Sequence, residues 1–428
     1  MGATQAYSSF VDSKRRRFAG TAVPYQSRNP SLYPFQVDIV QRALDRGRYA
    51  IFADCGLGKT LMELEWAANI PGRILLLAPI AVSHQIQHEA ERFGFSACVR
   101  TGQDGVGDEK VTLTNYEKLH RFHPDAFEGI ILDESSILKA YTGKIRTQII
   151  QSFHAHRYKL AATATPAPND FMELGNHAEF LGAMSRSEML SMFFVHDGGS
   201  TQDWRLKKHA VREFWRWVGS WACMIGSPSD LGYENDGFEL PPLTFHHEVV
   251  ESDFEHHALL PGAVALDLNE RRRARRSSMV ERVARAAHID DGSSPCLFWC
   301  DLNDESHALA RAIDDAVEVK GADTEAHKRG ALVGFAEGGV RALVTKPRIA
   351  GWGMNWQRCS RMAFVGLSDS YEAFYQATRR CWRYGQESPV SAHLIYSESE
   401  RAVVDNVLKK SAQHESMREA LMQEVMSA

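Results

Sequence analysis

Paired cysteines are missing from this chain: seven are scattered through 428 residues and no CxxC occurs. That excludes the usual spacing of a disulfide framework or a four-thiolate zinc site. Cys296 and Cys300 form a lone CxxxC in an apolar run, which reads as two buried thiols because no second pair completes four ligands. Long apolar runs are missing too. None approaches the ~18 residues of a membrane span, and the N-terminus has no signal-type apolar core, so a cytoplasmic protein with no membrane partner is expected. An excess of either charge is also absent: 49 basic residues face 54 acidic ones, leaving −5, so any basic footprint must be local. The length exceeds what one core usually serves, and two domains are expected.

The most informative stretch is IFADCGLGKT, residues 51–60. An apolar run at 49–53 reads as a short buried strand. It enters Gly56-Leu57-Gly58-Lys59-Thr60 and then the helical pattern LMELEWAANI. Glycines there let backbone N–H groups close around phosphate oxygens, Lys59 can meet the outer phosphates, and the Thr60 hydroxyl can join a Mg2+ shell. A plain glycine turn before a helix is the alternative. A second apolar strand, IILDE at 130–134, ends in two acids. Asp133 is the candidate magnesium holder, and Glu134 the candidate group for polarising a water.

Residues 1–30 are polar and basic, with Lys14-Arg15-Arg16-Arg17, and read as a partly ordered arm or a phosphate-contacting one. Order begins at Leu32-Tyr33-Pro34-Phe35-Gln36, with Pro34 at a helix start; the Gln36 amide has the donor and acceptor to read an adenine edge. Strands are expected at 73–78, 110–114, 129–132 and 158–161, and a helix at 82–93. Continuous apolar strands separated by helices make an α/β fold with a mainly parallel sheet covered on both faces. Ligands of such sheets bind at the carboxyl ends of strands, where the glycine loop, Asp133-Glu134 and Thr163-Ala164-Thr165 all fall. From 171 to 240 the sheet pattern lapses into helices carrying Trp204, Trp215, Trp217 and Trp221. WRWVGSW at helical spacing reads as core packing, with a base-stacking surface as the alternative. Glu239-Leu240-Pro241-Pro242 marks a domain boundary.

A second alternating block follows, with strands at 244–250, 295–300, 316–319, 340–345 and 361–366. Helices are expected at 268–287, where arginines crowd, and at 305–312, 327–336 and 373–381. Arg380 and Arg383 lie three apart and share a helical face. Planar donors of this kind suit stabilisation of charge on a transferring phosphoryl group. Arg379 starts about 100° away around the helix, which predicts a milder role.

In these motifs the chain resembles a superfamily two helicase-type ATPase, most closely the Swi/Snf-type double-stranded DNA translocases. Residues 32–36 resemble their adenine-reading motif, and 54–60 resemble DEMGLGKT with Cys55 in place of the usual acid. Thr114-Asn115-Tyr116-Glu117 matches a strand end of the family. Asp133-Glu134-Ser135-Ser136-Ile137-Leu138-Lys139 resembles DEAHRIKN, with two serines replacing Ala-His, and 162–166 resemble LTGTP. Past the boundary, Leu240-Pro241-Pro242-Leu243 resembles LPPK, 348–355 resemble RAGGLGIN, and 376–386 match QAxxRxxRxGQ almost completely.

The resemblance implies two RecA-like lobes, 31–170 and 241–400, each a mainly parallel sheet covered by helices. A basic arm at 1–30, a helical extension at 171–240 and a C-terminal helix at 401–428 complete the expected domains. ATP and Mg2+ are the implied cofactors, with Gln36, Gly56, Leu57, Gly58, Lys59, Thr60, Gly353 and Gln376 on the nucleotide and Thr60 and Asp133 on the metal. Lys59, Asp133, Glu134, Arg380 and Arg383 are implied in catalysis, the two arginines closing on ATP from the second lobe. The implied partner is double-stranded DNA, held by a monomeric motor through its phosphate backbone without sequence specificity. Thr114, Asn115, Tyr116, Arg348 and Asn355 are the candidate contacts. DNA-dependent ATP hydrolysis coupled to duplex translocation and remodelling is the first function expected. A strand-separating DNA helicase is the second, and an RNA helicase the third, because DESS departs from DEAD. The compact form suits a viral or mobile-element motor in a host cytoplasm.

Overall fold

The computed structural model describes residues 23–139, 143–196, 204–235, 237–252, 273, 275–350 and 353–426. The basic run at 14–17, Arg271, Arg272 and Gly351-Trp352 lie outside the described residues, as does the start of the helix expected at 268. The chain divides into two compact units, Met1–Asp236 with His414–Ala428, and Gly237–Gln413.

Apolar runs in the first unit become strands: β1 (Arg48–Ala53), β2 (Ile74–Ala78), β3 (Ala97–Val99), β4 (Val111–Asn115), β5 (Gly129–Asp133) and β6 (Tyr158–Thr163). Further on come a hairpin of β7 (Phe194–His196) and β8 (Trp204–Leu206), then β9 (Ala222–Ile225). Among the described residues the large sheet is parallel throughout, in the order β3-β4-β2-β5-β6-β1-β9. Its central strands are buried along nearly their whole length, as crossover helices on both faces require. The register sets Phe52 beside Thr163 and Asp133 beside Ala162, which brings the ends of β1, β6 and β5 to one edge.

The purely helical reading of 171–240 needs correction. Helices Leu174–Leu181, Arg186–Phe193 and Val211–Gly219 are present, but β9 joins the sheet with Ala50 opposite Ala222. A four-residue strand following an aromatic helix is too short to display its own period. The tryptophan question resolves to core: Trp215, Trp217 and Trp221 are all buried, Trp217 stacks on Phe193 at 5.4 Å, and Trp221 meets Phe52 edge-on. The last residues of the expected arm are tied down, since Asn69 Oδ1 and Glu65 Oε1 accept from the backbone N–H groups of Gln26 and Arg28.

The second unit repeats the plan with β10 (Leu243–Val250), β11 (Cys296–Trp299), β12 (Ala316–Glu318), β13 (Ala342–Thr345), β14 (Arg361–Phe364) and β15 (Val390–Ser397). These form a parallel sheet in the order β10-β15-β14-β11-β13-β12 among the described residues. Alternate residues of β11 feed two cores: Leu297 and Trp299 on one face, Cys296 and Phe298 on the other. Cys296 and Cys300 are fully buried thiols, pushed up by that burial. Part of the arginine crowding is internal. Arg282 is fully buried, pairs with Glu305 at 2.7 Å, and lies 3.5 Å from Glu400, which also pairs with Arg275. Two parallel sheets, each flanked by helices, make duplicated RecA-like lobes. No helix among the described residues is long and apolar enough to cross a membrane.

Candidate active site

β1 ends at Ala53, and the glycine loop leads into the helix Lys59–Asn69. Gly56 and Gly58 hold φ of +95° and +75°, a region that side chains resist. Gly58 is the helix N-cap and supplies no side-chain cap, so first-turn N–H groups point toward the loop as an anion cradle. A Cβ on Gly58 would stand 2.4 Å from Gln36 Nε2, so a side chain there would displace the Gln36 amide as well as strain the backbone. Lys59 Nζ donates to the Ala53 carbonyl at 2.8 Å, and Thr60 lies half-buried in the first helical turn. Burial pushes the Asp54 carboxyl up to about 7 against the opposing effects of the Cys55 N–H and Lys59.

Gln36 does not present its amide outward. Its Nε2 donates to the Leu57 carbonyl at 2.9 Å, its Oε1 accepts from Tyr33 N–H at 2.9 Å, and the side chain is buried. Here it braces the glycine loop. Leu57 is buried beneath it.

Beside this loop, β5 delivers Asp133, which is buried, and Glu134, which is half-buried with φ of +54°. A left-handed non-glycine residue costs on the order of 1–3 kcal/mol and survives only where its surroundings fix it. Thr163 Oγ1 donates to Glu134 Oε2 at 3.1 Å and itself accepts from Thr165 N–H, so the end of β6 orients the acid. Burial, then the Glu134 charge, push Asp133 up to about 7.

Glu63 is a site residue that motif reading missed. It lies one turn after Lys59, fully buried, with its carboxyl against that of Asp133. Burial, then Asp133, raise its carboxyl well above its usual range. The available signal was an acid in an apolar helix at i+4 from Lys59. Ser135 and His177 were missed as a pair: Oγ and Nε2 are hydrogen-bonded at 3.1 Å with both side chains fully buried.

The cradle, the uncapped helix end, Lys59, Thr60 and Asp133 fit a nucleoside triphosphate with Mg2+, which takes one or two carboxylates plus phosphate oxygens and water. No group of three or more His, Cys, Asp or Glu among the described residues is placed to hold a metal alone.

Second-unit candidates gather around the helix Tyr371–Cys381. Arg380 is buried, and all three of its nitrogens bond within the unit: Nε to the Gln376 carbonyl, Nη2 to Gln376 Oε1, and Nη1 to the Met354 carbonyl, each at 3.0 Å. It braces the Gly353-Met354-Asn355 loop instead of presenting an outward fork, and Gln376 is buried as its partner. Arg383, half-buried, donates to the same Met354 carbonyl at 3.3 Å. Arg379 is buried too, with its guanidinium 4.6 Å from the Trp382 ring centroid. Gly353 and Gly385 take φ of +79° and +85° as the turns require.

The proposed DNA contacts divide. Arg348 and Asn355 are exposed. Thr114, Asn115 and Tyr116 are buried at the end of β4; Thr114 Oγ1 donates to the Arg100 carbonyl, and Tyr116 OH donates to the Asp133 carbonyl at 2.5 Å. Tyr116 thus backs the acid strand and offers no phosphate contact.

No family model and no curated protein matches the chain. Among solved structures, it is similar to a fragment of a putative HsdR subunit of a type I restriction enzyme from Vibrio vulnificus YJ016. The TM-score is 0.54 at 17% identity, covering 90% of this chain and 66% of that one. It also aligns with the Sulfolobus solfataricus SWI2/SNF2 ATPase core in complex with dsDNA, with a TM-score of 0.45 at 16% identity over 93% of this chain and 98% of that one. At these identities the likeness is one of fold.

Proposed function

We propose that this chain is an ATP hydrolase of the superfamily two helicase type that couples hydrolysis of ATP to ADP and phosphate to movement along double-stranded DNA, remodelling DNA or its protein complexes. The observation that carries the reading is Glu134. A carboxylate held by Thr163 in a strained turn, next to Asp133, whose carboxyl feels the Lys59 charge, is an arrangement for activating water at a phosphate. Bound ATP with its metal supplies the transferable phosphoryl group. First-turn N–H groups and Lys59 would hold its phosphate oxygens, Thr60 and Asp133 would hold Mg2+, and Glu134 would take the proton of the attacking water. The match of residues 376–386 to the family's arginine motif extends the reading to the second unit, where Arg383 is the proposed contributor to turnover. DNA as partner rests on the motif resemblance.

ATP turnover with duplex DNA, single-stranded DNA, RNA or no nucleic acid tests the reading, with duplex stimulation expected. Glu134→Gln should bind nucleotide and fail to turn over, whereas Lys59→Ala should lose nucleotide affinity. Stimulation by RNA alone, or full turnover by Glu134→Gln, would overturn it; a strand-displacement assay separates unwinding from translocation.

A further inference from the structure

The 3₁₀ turn Ser135–Lys139 follows Glu134 directly, and one helix grips it at both ends. On Leu174–Leu181, His177 Nε2 is hydrogen-bonded to Ser135 Oγ at 3.1 Å, and the neighbouring Asn176 donates from Nδ2 to the Lys139 carbonyl at 3.3 Å. Ser135, Asn176 and His177 are all buried. The His177 ring also packs edge-on against Phe52 at 5.2 Å, one residue before the Ala53 carbonyl that accepts from Lys59. The imidazole therefore touches both the acid turn and the strand feeding the phosphate loop. Glu134 lies between these restraints in a backbone conformation that only its surroundings can maintain.

We propose that His177, seconded by Asn176, is a positioning residue that fixes the turn after the two acids and thereby aims Glu134 at the attacking water. This rests on the ATPase reading above. Burial pushes the His177 imidazole down to about 4, so it stays neutral at working pH, as an orienting group requires and a proton carrier does not. The role belongs to residues outside the motifs: His177 lies more than forty positions after Ser135, and Ser135 stands where the family pattern has alanine.

The test uses the full chain with wild type, Ser135→Ala, His177→Leu, His177→Gln and the Ser135→Ala/His177→Leu double variant. Ser135→Ala and His177→Leu should lower kcat about 10- to 100-fold, the scale of a slightly misaimed catalytic group. Affinity for a fluorescent ATP analogue should stay within about twofold, since removing a transition-state interaction leaves ground-state binding in place. His177→Gln, whose amide can reach Ser135, should recover most of the lost kcat. The double variant should be no slower than the slower single one, because both changes break one link. Loss of nucleotide affinity in step with kcat, or no recovery by His177→Gln, would show a merely structural residue and overturn the proposal. Wild-type turnover with undiminished Ser135→Ala and His177→Leu would sink this proposal alone. Absence of turnover in the wild type would sink the ATPase reading and this proposal with it.

Discussion

A carboxyl group without exposed surface is costly in its charged form, and the candidate site holds more than one: Glu63 and Asp133 are buried together, with Asp54 at the start of the glycine loop. Each is raised by burial first, so each keeps its proton in the folded chain at a pH where the unfolded chain has lost it. For Asp54 the window runs from its ordinary 3.8 to about 7. Within it the unfolded state binds fewer protons, and stability falls as pH rises, by at most about 1.4 kcal/mol per pH unit for one group. Glu63 and Asp133 act with the same sign. Asp54→Asn should therefore flatten the decline between pH 4 and 7 and be more stable than wild type at pH 8. Urea midpoints at four pH values would check this; an unchanged slope in the variant would refute the assignment. On the proposed function, a nucleotide-borne Mg2+ and the Lys59 charge would offset the cost of keeping such acids.

Arg379 and Arg380 are adjacent in sequence and alike in type, yet the helix Tyr371–Cys381 gives them different surroundings. Arg379 lies between the rings of Trp382 and Tyr375, whereas Arg380 is locked to Gln376 and Met354. Arg379→Ala removes a buried cation–π contact and leaves a void, so a loss of roughly 1–3 kcal/mol of stability is expected, a quantity separate from the milder effect on turnover that its helical angle predicts. Arg383→Ala should leave the denaturant midpoint nearly unchanged and lower turnover. Unfolding curves and turnover measured on both variants decide it, and a thermally silent Arg379→Ala would contradict the packing described. The contrast shows where sequence stops being informative. Continuous apolar runs such as ILLLA and GIILD announced their strands and edge loops, because burial on both faces leaves a local signature. β3 and β9 were illegible through brevity, and β15 through Ser391 and His393 interrupting its apolar pattern; His393 is satisfied by Glu248, 145 residues away. In the site, motif spacing pointed to Lys59, Asp133 and Glu134, but the partners of Gln36, Tyr116 and Arg380 are tertiary facts with no local trace.

For the molecule as a whole, a net charge of −5 opposes any general attraction to DNA, so binding must come from a few placed cations. Burial of Thr114, Asn115 and Tyr116 withdraws three of the five candidate contacts, leaving Arg348 and Asn355 exposed on the second unit. Contacts to backbone phosphate carry no base information, but each cationic contact releases condensed counterions and adds about 0.9 to the fall of log K against log salt. Two duplexes of unrelated sequence should therefore bind with affinities within about twofold of one another and weaken along the same salt slope. Arg348→Ala should lower that slope by about one and weaken both duplexes equally, whereas Asn355→Ala, which removes no charge, should leave the slope unchanged. Titrations of fluorescent duplexes across a series of salt concentrations provide the measurement. A slope unaltered by Arg348→Ala would remove this residue from the phosphate contacts. An affinity change confined to one of the two sequences would mean that base edges are being read, and the expectation of backbone-only recognition would fail.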